Sequence, residues 1–270
     1  MRTIAHISDL HFGREDPVVA EGLVSELAAL RPDLVVNSGD LTQRARRSQF
    51  RAAAAYLRRI PSPQLTVPGN HDVPLFDVAR RFLTPLTRYR RFICDDLAPL
   101  FCDDEIAVLG LNTARSSTWK EGRVSLAQIG AMSHALGSVP SGLIKAVVTH
   151  HPFIPPPGDE GAGVALVGRA KQALTVIERQ GVDLLLAGHV HHGYTGDVRT
   201  YYPSVTRSVV VAQAGTAISH RIRREPNGYN LIEITADCIR ITVRRWAGRQ
   251  FADYDRVRYR RNGGAWERDG

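Results

Sequence analysis

The chain reads as an α/β protein on three observations. Over its first two-thirds, short runs rich in Val, Ile and Leu alternate with amphipathic stretches of helical period. In the final third the helical pattern fades, and strand-like runs follow one another across turn residues. Clusters of His, Asp and Asn fall just past several apolar runs, at the edge where open α/β sheets bind their ligands.

The extended runs are residues 3–8, 33–37, 64–67, 106–111, 145–149 and 182–187, several followed closely by Gly, Asn or Pro. Between them the spacing predicts helices over 18–30, 48–60, 76–92, 126–136 and 169–180. In the first of these, Leu23, Leu27 and Leu30 recur at intervals of four and three and mark one buried face. Residues 154–168 contain Pro155, Pro156, Pro157, Gly158, Gly161 and Gly163, which exclude a helix interior or central strand, so a loop is expected. The final strands are 209–213, 229–235 and 239–246. A Pro226-Asn227-Gly228 turn precedes the second, and Ala236-Asp237 joins it to the third as in a tight hairpin. An antiparallel contribution to a second sheet follows. One domain is expected over 1–251, with a basic, poorly ordered tail over 252–270; no internal repeat or linker interrupts it.

Charge and composition exclude several classes. The 270 residues carry 35 Lys and Arg against 27 Asp and Glu, a formal charge of +8. From residue 240 onward there are nine arginines against Asp253, Asp255, Glu267 and Asp269, so five of the eight excess charges lie at the C-terminal end. Nucleic acid is therefore not an expected partner. A membrane-surface contact by the basic end is a secondary reading beside an edge strand guarded by charge. A hydrophobic content of 43% argues against disorder. No apolar run of about 18 residues exists, and Asp9 and His11 come too early for a secretory segment. Cys94, Cys102 and Cys238 fit neither a disulfide framework nor a zinc ribbon, so reduced thiols and a cytoplasmic location are expected.

The chemistry lies in five clusters. Asp9 and His11 follow the first run, Asp40 the second, and Asn70, His71 and Asp72 the third. His150 and His151 follow the fifth, and His189, His191 and His192 the sixth. Singly each has an ordinary explanation: a Gly-Asp is usually a turn, and an Asp-x-His pair is usually a cap. Together, in order and each at a strand end, they would bury imidazoles and carboxylates at a cost of several kcal/mol (order of magnitude) unless a cation joins them. Mixed oxygen and imidazole donors suit Mn, Fe, Co or Zn better than Ca.

The blocks Asp9-Leu10-His11, Gly39-Asp40, Gly69-Asn70-His71-Asp72, His150-His151 and Gly188-His189-Val190-His191 resemble the signature of the calcineurin-like metallophosphoesterases. That resemblance implies a four-layer α/β/β/α sandwich of two mixed sheets and a dinuclear centre at their shared edge. It implies Asp9, His11 and His191 as ligands of one divalent metal ion, Asn70, His150 and His189 as ligands of a second, and Asp40 as the bridge. His71 would protonate the leaving group with its ring oriented by Asp72, after in-line attack of a hydroxide shared by the two metals. The compact length, the Gly-His-Val-His-His block and the His-His-Pro are similar to those of bacterial class III cyclic-nucleotide phosphodiesterases. The implied substrate is a small-molecule phosphodiester, with a 3′,5′-cyclic nucleotide as the specific case. Substrate contacts are expected from Gln43 and Arg115, His151 is expected to orient its loop or approach substrate, a lid is expected from 154–168, and a homodimer fits the resemblance. His192 is expected as a surface histidine. The alternatives are a phosphomonoesterase, a lipid or nucleotide pyrophosphatase, or a metal-binding scaffold without catalysis.

Overall fold

The computed structural model describes residues 1–159, 163–221 and 225–269. The chain opens with β1 (Arg2–Ile7), α1 (Pro17–Leu30), β2 (Leu34–Asn37), α2 (Arg47–Leu57) and β3 (Gln64–Thr66). The start of α1 is set by Asp16, whose carboxylate accepts from the Val18 and Val19 amides, and by Pro17 in the first turn. Two short helices follow, α3 (Val78–Leu83) and α4 (Thr87–Phe92). The spacing predicts one helix over 76–92, but Pro85 removes an amide donor and drives its predecessor out of helical backbone, so the helix breaks there.

Then come β4 (Leu100–Cys102), β5 (Ile106–Gly110), β6 (Gly122–Arg123), α5 (Leu126–Gly137), β7 (Ile144–Val148), β8 (Val167–Gly168), α6 (Ala170–Arg179) and β9 (Leu184–Ala187). The Ser125 hydroxyl and Gln128 side chain cap the start of α5 reciprocally. The proline-rich segment is mostly loop, as expected, except that Val167–Gly168 pairs with Gly122–Arg123. Its residues Glu160, Gly161 and Ala162 lie outside the described set. The chain closes with β10 (Tyr194–Asp197), β11 (Val210–Gln213), β12 (Gly228–Ile234), β13 (Cys238–Trp246), β14 (Phe251–Asn262) and β15 (Ala265–Asp269).

Among the described residues these strands form a larger sheet, β15-β14-β13-β12-β1-β2-β3, and a smaller one, β10-β11-β9-β7-β5-β4. Both are mixed: β1 runs parallel to β2 and antiparallel to β12, and β9 lies between two parallel neighbours, with antiparallel pairs at the sheet's edges. One apolar layer, including Ile4, Val36, Val108, Val148, Leu186 and Ile241, fills the space between the sheets. A second layer packs α1 and α2 on the larger sheet through Leu23, Leu27, Phe50 and Ala53. A third packs α5 and α6 on the smaller sheet through Met132, Leu136, Leu174 and Ile177. The four-layer arrangement follows from strands that must be covered on both faces.

The expected tail over 252–270 is a correction. β14 pairs with β13 along its length and β15 returns along β14. Val257, Tyr259 and Trp266 are buried in the inter-sheet core. Asp183, itself buried, holds the end by accepting from Arg207 (2.9 Å), Arg261 (2.8 Å) and Trp266 Nε1 (3.1 Å). The arginines of the basic C-terminal end are paired with carboxylates, Arg240 with Glu233 and Arg260 with Asp269 across strands, and Arg244 with Asp253 and with Glu26 of α1.

Candidate metal centre

The five clusters meet at the carboxyl ends of β1, β2, β3, β7 and β9. Each turn is tight. Asp9, His11, Asp40, His189 and His191 all have positive φ, between 48° and 79°. They are five of the eight non-glycine residues in that region among the described residues, and each costs about 1–3 kcal/mol of backbone strain. The strain is concentrated where it aims an imidazole or carboxylate. Glycines in the clusters allow the turns to approach one another. A Cβ on Gly69 would collide with the Asp40 carboxylate, and one on Gly188 would collide with Ser8 and lie 2.7 Å from Asp9 Oδ2.

Two sets of acceptor atoms result. In the first, Asp9 Oδ1 lies 3.4 Å from His11 Nε2 and 3.5 Å from His191 Nε2. In the second, Asn70 Oδ1 lies 3.1 Å from both His150 Nε2 and His189 Nδ1, which are 3.3 Å apart. Asp40 Oδ2 stands between them, 3.8 Å from His11 Nε2 and 3.4 Å from His150 Nε2. Neighbouring ligands about 2.1 Å from a common cation are about 3.0–3.4 Å apart, close to these separations. The donors fit as well. His150 Nδ1 faces the Ser38 carbonyl oxygen at 2.9 Å, to which it can only donate, so in the neutral ring the lone pair sits on Nε2. His191 Nδ1 lies 2.6 Å from Thr216 Oγ1. Asp9 Oδ1 and both ring nitrogens of His11 are buried with no hydrogen-bond partner. Unpartnered acceptors turned towards one another in a dry site are what a cation satisfies.

The electrostatics agree. Burial disfavours charge on Asp9 and Asp40, yet His191 beside Asp9 and His150 beside Asp40 hold both carboxyl groups below the usual carboxylate range. Burial likewise opposes a charged His150, but Asp40 overrides it and lifts that ring to about 9. Burial pushes His189 down to about 3, with His150 adding to the effect, and His191 down to about 4.

All seven side chains expected around the metals are therefore brought together, and His71 stands beside them. The His71 amide donates to Asp40 Oδ1 at 2.8 Å, Nδ1 donates to the Gln43 carbonyl oxygen at 2.9 Å, and the ring meets His11 edge-on at 4.9 Å. Burial lowers its pKa against the opposing pull of Asp40.

Three expected roles are corrected, those of Asp72, Arg115 and Gln43, and His151 takes the loop-orienting one of its two expected positions. Asp72 does not touch the His71 ring; its carboxylate accepts from the amides of Leu41, Thr42 and Gly69 and from the Thr42 hydroxyl, so it ties two metal-site loops together. Burial and the nearby Asp40 raise Asp72 to about 6. Arg115 points away, bonded to the Asn112 and Ala114 carbonyls and to Gln128. His151 is fully buried, with Nδ1 2.8 Å from Thr113 Oγ1 and Nε2 2.9 Å from the Lys120 carbonyl, and so secures the 113–120 loop. Gln43 serves His71 through its backbone, while its side-chain oxygen is buried. His192 is half-buried, with Nε2 3.5 Å from Glu225.

A cleft of about 380 Å³ opens over the centre, lined by Asp40, Asn70, His71, Lys120, His189 and Arg221 among others. Arg221 has no counterpart in the sequence reading, yet its Nη1 donates to His71 Nε2 at 2.8 Å. Nothing in the sequence around Arg221 distinguishes it from the chain's many other arginines. Ser8 and Thr216 were also missed; Ser8 donates to Asp9 Oδ2 at 2.6 Å and was legible as a motif neighbour.

Residues 2–193 match the model of the calcineurin-like phosphoesterase family. A glycerophosphodiester phosphodiesterase from Enterobacter lignolyticus is 31% identical over 174 residues, covering 56% of this chain; the match spans 57% of that relative's length. A cAMP/cGMP dual specificity phosphodiesterase from Mycobacterium tuberculosis is 27% identical over 87% of this chain and 77% of its own. Among solved structures, yellow lupin purple acid phosphatase superposes with a TM-score of 0.67 at 16% identity, over 95% of this chain and 53% of that one. Vps29 from Chaetomium thermophilum does so with 0.51 at 15% identity, over 96% and 99%. These two show a shared fold.

Proposed function

The chain belongs to the calcineurin-like phosphoesterase family, and we propose that it is a metal-dependent phosphodiesterase acting on a small-molecule phosphodiester. The observation that carries this reading is the pair of acceptor sets sharing Asp40, with buried and unpartnered atoms at Asp9 and His11. Asp9, His11 and His191 would hold one divalent cation and Asn70, His150 and His189 the other, with Asp40 common to both. Mixed nitrogen and oxygen donors favour Mn, Fe, Co or Zn. Bound there, such cations supply positive charge against phosphoryl oxygens and an acidified water as nucleophile.

The protein's own groups do the rest. Asn70 contributes a neutral oxygen, which limits the negative charge met by an anionic substrate. Arg221 brings a guanidinium to the cleft and fits the non-bridging oxygens of a phosphodiester. His71 Nε2 faces that guanidinium and is bare while they are paired. A phosphate oxygen is the stronger partner for Arg221, so substrate arrival would release Nε2 to take up a proton from solvent water and pass that proton to the leaving oxygen. The ring keeps its aim through the Gln43 carbonyl. The cleft's volume lies in the range of small-molecule sites, and both curated relatives support a diester, the M. tuberculosis one a cyclic nucleotide. Free Cys94, Cys102 and Cys238 support a reducing, cytoplasmic compartment.

The test is turnover of bis-p-nitrophenyl phosphate, p-nitrophenyl phosphate, cyclic AMP and UDP-diacylglucosamine by metal-reconstituted protein. Faster hydrolysis of the diesters than of the monoester supports the reading. Absence of diester turnover contradicts it, and a strong preference for UDP-diacylglucosamine replaces it with a lipid pyrophosphatase.

A further inference from the structure

Beside the catalytic cleft the surface changes character. Phe76, Val78, Phe82 and Leu83 are 75%, 64%, 59% and 80% exposed, and Trp119 is 61% exposed. These are five of the twelve large hydrophobic side chains exposed among the described residues; four fall on or just before α3, and Arg81 of the same helix reaches Trp119. Arg81 binds them into one unit. Itself buried, it donates to the Pro74, Ser116 and Thr118 carbonyls, and its guanidinium covers the Trp119 ring at 4.9 Å. The helix α3 and the Trp119 loop thus form a fixed apolar ridge. The ridge adjoins the cleft, since Asn70 Nδ2 donates to the Trp119 carbonyl at 3.3 Å and Lys120 lines the cleft wall.

The surroundings of the ridge are cationic. Segments 44–47 and 74–93 contain eight arginines; Arg81 is buried, Arg80 pairs with Asp77 and Arg90 with Asp95, and Arg44, Arg46, Arg47, Arg88 and Arg91 have no carboxylate partner among the described residues. Arg44 lies 5.7 Å from the centre of the Phe76 ring, and Arg88 donates to the Ala45 carbonyl at 2.7 Å, which brings the two segments side by side. The C-terminal arginines differ, because most are matched to carboxylates within the sheet.

We propose that the ridge of Phe76, Val78, Phe82, Leu83 and Trp119, with its arginine surround, docks the protein peripherally on an anionic phospholipid surface. Apolar and aromatic tips that enter the acyl boundary, rimmed by arginines that meet anionic headgroups, are the chemistry of interfacial binding. A second copy of this chain is the poorer occupant. A two-fold contact places the patch on itself, and the arginines of one rim, among them Arg44, Arg46, Arg47, Arg88 and Arg91, would then face those of the other. Nucleic acid offers nothing to Val78 and Leu83. The orientation brings the cleft beside the lipid, and the docking stands independently of the proposed hydrolysis.

The experiment is co-sedimentation of the full chain with vesicles of phosphatidylcholine alone or with about one-third phosphatidylglycerol. Binding to the anionic vesicles is expected to be at least about tenfold tighter and to weaken in high salt. Replacing Phe82→Ser and Leu83→Ser together should reduce it by about tenfold or more, with unchanged thermal melting and unchanged turnover of a soluble diester. Absence of binding to anionic vesicles overturns the proposal. So does equal binding by the double variant, or a dimer in sedimentation velocity that the double variant dissociates.

Discussion

Thr216→Val isolates one hydrogen bond behind one proposed metal ligand. Thr216 Oγ1 lies 2.6 Å from His191 Nδ1, and both residues are buried. Without metal, the imidazole can place its proton on either nitrogen. With a cation at Nε2, the proton must sit on Nδ1 and needs an acceptor. Valine keeps the shape of threonine and removes that acceptor, so the metal-bound form alone carries an unpaired buried N–H. Such a group costs about 1–3 kcal/mol, which at about 1.4 kcal/mol per tenfold corresponds to roughly 5–150-fold weaker binding of that cation. Chelator-buffered titration with Mn or Zn measures it. The effect should fall on one of two equivalents, because His150, His189 and Asn70 do not contact Thr216. Unchanged affinity, or equal weakening of both equivalents in a variant with normal melting, would refute the reasoning.

Three other outcomes follow from single contacts. Asp183→Ala strips the acceptor from Arg207, Arg261 and Trp266 Nε1 and should cost about 3–5 kcal/mol in urea unfolding; a loss below about 1 kcal/mol would mean the C-terminal strands are held elsewhere. His6 is fully buried, and burial lowers it from 6.5 to about 3, so the unfolded chain takes up a proton that the folded one refuses. Its neutral form therefore supports the fold above pH 6.5, and that support is lost as the pH falls towards 3; His6→Gln should flatten the acid side of the stability profile by up to about 1.4 kcal/mol per pH unit, and an identical slope would contradict this. Arg221→Ala should lower kcat/KM for a diester by about 10–100-fold at unchanged metal content, with only partial recovery in Arg221→Lys, because a fork of donors is lost; full activity of the alanine variant would remove Arg221 from the account.

Much of the architecture is visible in the sequence because its central strands are covered on both faces. Runs such as 182–187 are apolar at nearly every position, which only a buried strand explains. Residues 256–260 alternate Arg with Val257 and Tyr259, the period of a half-buried strand, but the four arginines and two acids of 251–262 suggested a solvated tail. The helix over 76–92 was expected unbroken because its apolar spacing outweighed the evidence of Pro85. The metal cluster was legible because its residues must follow strand ends, and strand ends are readable. Roles that depend on side-chain direction were not: Asp72 lies within a motif and Arg115 follows the fourth apolar run, yet each turns inward to hold a loop. Arg221 was hidden for the opposite reason, being thirty residues beyond the last motif and brought back by the fold.

The central claim is that two cations share Asp40, and anomalous diffraction from crystals grown with manganese tests it most directly. The account predicts two peaks, one about 2.0–2.3 Å from Asp9, His11 and His191 and one at the same distance from Asn70, His150 and His189, with Asp40 reaching both. A single peak, or two that leave Asp40 without a metal, would contradict it.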